Sequence, residues 1–71
     1  EDVLMIESIN KKKLLVFAWH IGNRHIPAEI HTNYILIKKD AVIRKMLKLL
    51  GAKVTTRRLS FTPEYGAYYK H

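Results

Sequence analysis

Four histidines, His20, His25, His31 and His71, supply the side chains best suited to holding a transition metal in this 71-residue chain. There is no cysteine, so a disulfide framework, a thiolate centre and a zinc ribbon are excluded, and any metal must be held by nitrogen or oxygen. His20 and His25 are five residues apart, a spacing that an unbroken helix does not place on one face as a chelating pair. His25 follows Gly22-Asn23-Arg24 and precedes Ile26-Pro27, a short constrained connection from which a side chain can project outward. His31 lies in the turn-like run His31-Thr32-Asn33 and is a secondary ligand candidate. The six acidic residues, Glu1, Asp2, Glu7, Glu29, Asp40 and Glu64, are scattered, with no paired-carboxylate site, Ser/His/Asp or Cys/His constellation, or Gly-rich phosphate loop. Catalysis is therefore not expected.

The elements that must position these residues form one small domain, since a chain of this length buries only about 60% of the surface its unfolded form exposes. Hydrophobic residues make up 48% and charged residues 27%, a globular balance that argues against disorder. A domain this small gains from self-association. The longest apolar run, Leu14 to Trp19, is too short to span a bilayer, and no secretory signal pattern opens the chain, so a cytoplasmic location is expected. The net charge of +7 raises a nucleic-acid reading, but apart from Lys11-Lys12-Lys13 the cations are spread along every segment, as on solvated faces.

Val3 to Ile6 reads as a buried strand. Leu14 to Ile21 is strand-like by composition and helical by spacing, with Leu14, Phe17, Ala18 and Ile21 at i, i+3, i+4 and i+7. Helix is favoured by Ser8 or Asn10 as N-cap and by Gly22 as a left-handed stop, although lysines in the first turn oppose the helix dipole. Pro27 biases Ile26 to an extended conformation, and Ala28-Glu29-Ile30 and Tyr34 to Ile37 form a hairpin around the His31 turn. Asp40 caps a second helix with the stripe Ile43, Met46, Leu47 and Leu50, closed by Gly51. Lys53 to Phe61 is a last strand whose alternation breaks at Arg57-Arg58, and Pro63-Glu64-Tyr65-Gly66 leaves it by a turn. The order strand, helix, strand, strand, helix, strand predicts an α+β fold of ferredoxin-like βαββαβ topology over residues 1–62, with two helices on one face of a four-stranded antiparallel sheet and a tail at 63–71. That fold hosts enzymes, RNA binders and metal carriers alike. A basic ferredoxin-like nucleic-acid-binding module is the alternative, ranked lower because no strand has the Gly-aromatic pattern of an RNA platform.

Three segments carry a resemblance. Trp19-His20-Ile21-Gly22-Asn23-Arg24-His25 resembles the Gly-Asn-Arg-His segment of the UreE urease accessory proteins. Lys39 to Leu47, followed by Leu50-Gly51, is similar to that family's Asp-led helix, and Phe61 to Tyr68 to its Phe-x-Pro-Glu-x-Gly-Ala-Tyr segment. In this order and with nearly the family's spacing, the likeness extends over about residues 1 to 68. It implies a metallochaperone delivering Ni²⁺ for urease assembly, with the urease apoprotein and a urease-maturation GTPase as partners. His25 would be a ligand at the two-fold interface of a homodimer, a symmetry that doubles the ligand count without new sequence. Imidazole suits Ni²⁺, while Cu²⁺ binds such a site at least as well and Zn²⁺ competes.

Where some relatives carry extra ligand histidines, this chain has Lys38, Lys39 and Ala41, so those auxiliary sites are not expected. Asp40 matches an acidic residue of the family and admits two roles, capping the helix and orienting a ligand. His71 admits three: first residue of the family's His-rich tail, lone tail ligand, or start of a tag. The family's N-terminal peptide-binding domain is expected to be absent from this chain, as in an excised piece that starts abruptly at Glu1. Phe17, Leu15 and Trp19 are expected in the core or at the dimer interface, and Tyr65, Tyr68 and Tyr69 as packing or tail anchors. Arg24 is open between a carboxylate contact across an interface and a surface role.

Overall fold

The structure, a computed structural model, describes residues 1–63. Its elements are β1 (Asp2–Glu7), α1 (Lys11–Asn23), β2 (Glu29–Ile30), β3 (Tyr34–Lys38), α2 (Ala41–Leu49) and β4 (Lys53–Arg58). The sheet order is β2-β3-β1-β4 with every pairing antiparallel, which is the expected βαββαβ arrangement.

The register decides which apolar side chains share a face. Leu4 pairs with Ile37, and Ile6 with both Ile35 and Val54, so these five side chains share one face. They form a single core with Leu14, Phe17 and Ile21 of α1 and Ile43 and Leu47 of α2. Each such fully buried aliphatic or aromatic side chain contributes roughly 1.5–3 kcal/mol. The opposite face carries Val3, Met5, Leu36, Thr55 and Glu29.

Asn10, rather than Ser8, caps α1: its Oδ1 accepts the N–H groups of Lys12 and Lys13 at 2.9 and 3.3 Å. Ser8 supports the cap by accepting the Asn10 N–H at 3.2 Å. Two more expectations need correction. Gly22 does not stop α1, which runs through it to Asn23; the left-handed residue is His25, at φ 56. The last strand does not reach Phe61 but ends at Arg58, after which Leu59 still donates to the Glu1 carbonyl at 3.0 Å. Beyond Leu59 the chain leaves the sheet edge, and the Thr62 N–H bonds to the Glu29 carboxylate at the other side of the sheet. Residues 59–63 thus form a strap from the β4 side of the sheet to Glu29 of β2; on the face opposite the helices Val3 and Leu36 are buried. The expected tail lies, apart from Pro63, outside the described residues, together with the roles assigned to Tyr65, Tyr68 and Tyr69.

Candidate metal centre

Both helices close in the same way. In α2 the Gly51 N–H donates to Lys48 O at 3.0 Å and the Ala52 N–H to Leu47 O at 3.0 Å; in α1 the His25 N–H donates to Gly22 O at 3.0 Å and the Ile26 N–H to Ile21 O at 3.3 Å. Each is a Schellman closure, with its left-handed residue just past the cap and an apolar residue after it that returns to the core. Ala52 and Leu47 are core residues, and Ile26 packs against the cluster containing Ile21. The two ends differ at the left-handed position. In α2 it is Gly51, at φ 97, for which that conformation is free of Cβ strain; in α1 it is His25. The turn directs an exposed imidazole away from the core at a backbone position braced on both sides.

The helix leading to His25 is apolar on its outer side. Phe17 is in the core, but Leu15 is 72% and Trp19 63% exposed, and Val16 is exposed beside them. Of the two places expected for Leu15 and Trp19, the core is therefore ruled out. Leu15 and Trp19, one turn apart, form a stripe that runs toward the His25 end.

The other histidines are differently engaged. His20 is half-buried, with its ring edge-on to Trp19 at 5.1 Å, and its carbonyl accepts a long 3.4 Å hydrogen bond from Arg24 Nη1. His31 Nε2 lies 2.5 Å from Glu29 Oε2, and its ring stacks on Tyr34 with centroids 4.4 Å apart. Glu29 Oε1 also accepts the Thr62 N–H at 2.6 Å. That backbone bond first, then the hydrogen bond with His31, hold the Glu29 carboxyl below its ordinary range against an upward push from desolvation, with the charge of His31 the smallest contribution. His71 lies outside the described residues. Asp40 Oδ1 accepts the N–H groups of Val42 and Ile43 at 2.9 and 3.0 Å, the geometry of an N-cap. Among the described residues no group of three or more His, Asp or Glu side chains converges to hold a metal ion.

Sequence reasoning passed over Glu29 as one of the scattered acids. The signal available was its separation from His31 by two residues next to a strand, where alternate side chains share a face.

These features define an α+β domain of ferredoxin-like topology that presents an imidazole at a helix end. Comparison with known proteins is more specific: the chain belongs to the family described as UreE urease accessory protein, C-terminal domain, which it matches over residues 1–71. It is 49% identical to the urease accessory protein UreE of Chelativorans sp. over 71 residues, covering 100% of this chain and 45% of that protein. It is 46% identical to the UreE of Rhizobium rhizogenes and 42% identical to that of Thermosynechococcus vestitus, again over 71 residues, covering 42% and 49% of those proteins. The chain thus spans less than half the length of these curated relatives. The family is one of urease accessory proteins, not enzymes. Among the described residues no helix is long and apolar enough to cross a membrane.

Proposed function

We propose that this domain carries Ni²⁺ for assembly of the urease active site, holding the ion on a two-fold axis between two copies of the chain with His25 of each. The observation that carries this reading is the placement of His25. A histidine occupies a left-handed position where glycine would be less strained, and the exposed residue stands at the end of an exposed apolar helix face. Strained backbone at an exposed polar residue points to function, and the Leu15-Trp19 stripe gives a second copy something to bury.

An imidazole nitrogen donor suits Ni²⁺, with Cu²⁺ and Zn²⁺ as competitors. A site with two protein nitrogens leaves coordination positions to water or to an acceptor's ligands, so the cargo can be handed on. The urease apoprotein and the urease-maturation GTPase are the partners this reading gives, in the cytoplasm. A nucleic-acid platform is less well supported, since an RNA-binding sheet of this topology offers exposed aromatic residues on its open face. Here that face carries Val3, Met5 and Leu36, and the strap crosses the sheet.

Calorimetric titration with Ni²⁺ tests the proposal. Wild type should bind one ion per two chains, and His25→Ala should lose that binding while keeping its far-ultraviolet circular dichroism. Unchanged nickel affinity in His25→Ala would refute it.

A further inference from the structure

We infer that Glu29 is a positioning residue for His25, acting through the strap. The inference rests on the reading of His25 as a metal ligand and assigns a role to a side chain 4 residues further along the chain.

Both carboxylate oxygens of Glu29 are used. Oε2 meets His31, whose ring is held by stacking on Tyr34, and this fixes the carboxylate on the β2 side of the sheet. Oε1 accepts the Thr62 N–H, a hydrogen bond between residues 33 apart in sequence. Leu59 is still tied to Glu1 beside β4, so only Ser60 and Phe61 lie between the two anchors of the strap, which has little slack.

The strap ends beside the turn that carries His25. Phe61 and Pro63 line a cleft of about 260 Å³ together with Ile26 and Pro27, the two residues immediately after His25, and with Glu1 and Lys38. One wall of this cleft is the strap and another is the exit from the Schellman closure. On the helix side that closure is held by two backbone hydrogen bonds. On the exit side the chain runs through Pro27 and Ala28 to Glu29, the residue that clasps the strap. The clasp therefore restrains both the segment leaving His25 and the chain packed across the cleft from it.

Releasing Thr62 frees the strap and loosens the exit of the turn. In a site built from two copies, the imprecision enters twice. Loss of a residue that orients a metal ligand without touching the metal typically lowers affinity 10- to 100-fold, and an indirect brace belongs at the lower end, about tenfold.

The test is nickel titration of the whole chain, well below the melting temperature, in Glu29→Ala, Glu29→Gln, Thr62→Pro and His25→Ala. Thr62→Pro removes the N–H donor and leaves Glu29 and His31 untouched, so it breaks the same bond from the other side. Glu29→Ala and Thr62→Pro should each weaken nickel binding about tenfold, and Glu29→Gln, which keeps an acceptor oxygen, should recover most of the loss. A purely structural role would lower the melting temperature without changing affinity in the folded range, and that result overturns the inference. Should Glu29→Ala fail to fold, the Thr62→Pro and Glu29→Gln pair decides: equal, wild-type affinity in both also overturns it. If His25→Ala abolishes binding while the strap variants bind like wild type, only this inference falls. If His25→Ala binds like wild type, the proposed function falls as well.

Discussion

Replacing His25 by glycine should stabilise the domain relative to replacing it by alanine, although both substitutions destroy the proposed site. Both remove the imidazole with everything it touches, so the difference between them isolates the backbone. A residue with a Cβ in the left-handed region costs about 1–2 kcal/mol. Glycine removes that cost but loses more conformational freedom on folding, an opposing term of about 0.4–1 kcal/mol. The balance favours glycine by roughly 0.5–1 kcal/mol. For a domain of this size 1 kcal/mol moves the melting temperature by about 4–8 °C, so the glycine variant should melt roughly 2–8 °C above the alanine variant. Thermal denaturation followed by circular dichroism, with chelator present and at equal protomer concentration, measures the difference. The structure contains its own reciprocal control. Gly51 occupies the equivalent position in α2 at φ 97, and a Cβ added there would meet nothing nearer than Lys13 Nζ at 3.7 Å. Gly51→Ala should therefore be destabilising through backbone strain alone, by a similar amount. A glycine variant at position 25 that melts at or below the alanine variant would show that the left-handed turn stores no strain, removing the argument that function keeps histidine there.

Asp40→Ala should cost about 1 kcal/mol of stability through loss of the N-cap and leave nickel affinity unchanged; a fall in affinity at full folding would instead assign Asp40 a role in orienting a ligand. Trp19→Ala should weaken dimerisation, by about 2 kcal/mol or roughly 30-fold in dissociation constant, if its exposed ring is an interface anchor. Sedimentation equilibrium reads this, and unchanged self-association would move the interface off this face of α1. The acid limb of stability should carry a contribution from Glu29. Its folded carboxyl titrates below the ordinary value of 4.5, so the stabilisation is present above that value and is lost as pH falls through the lower, folded one. Glu29→Gln should flatten this limb in an acid-denaturation series, and superimposable curves would count against the clasp.

The fold was legible because its elements bury regular patterns. The continuous apolar run of β1 puts Leu4 and Ile6 on the core face, and the i, i+3, i+4, i+7 stripe of Leu14, Phe17, Ala18 and Ile21 faces the same core, with Ala18 partly buried against it. In the second helix the stripe was only half right: Ile43 and Leu47 are buried, Met46 is partly buried, and Leu50 sits at the cap, 37% exposed. The end of α1 was misread because glycine is the usual left-handed residue, and Gly22 offered itself three residues too early. A local rule sees only residue type there, whereas the closure is decided by which later apolar side chain, here Ile26, returns to the core. The strap was invisible for a related reason. Its anchor pairs Thr62 with Glu29 across 33 residues, and no periodicity encodes a hydrogen bond of that range. His25 itself was singled out by its place on a constrained connection and by the family segment around it; its strained backbone became visible only in three dimensions.

The two helix ends allow function to be argued as a difference within one molecule. The same closure, with the same pair of backbone hydrogen bonds and the same apolar return, is made once with glycine and once with histidine. Backbone strain alone would favour glycine at that position, since glycine closes α2 without Cβ strain. Among the described residues, neither His20, which packs against Trp19, nor His31, which is paired with Glu29 and stacked on Tyr34, sits at a left-handed backbone position. Rigidity then explains why a strained position suits a carrier. In the proposed site each half would contribute one donor and have to meet its symmetry mate at a fixed separation, so a mobile loop would dilute it. On the proposed reading, a helix end braced by Ile26 on one side, and by Glu29 through the strap on the other, would hold the ring at a fixed place without leaving it free to wander.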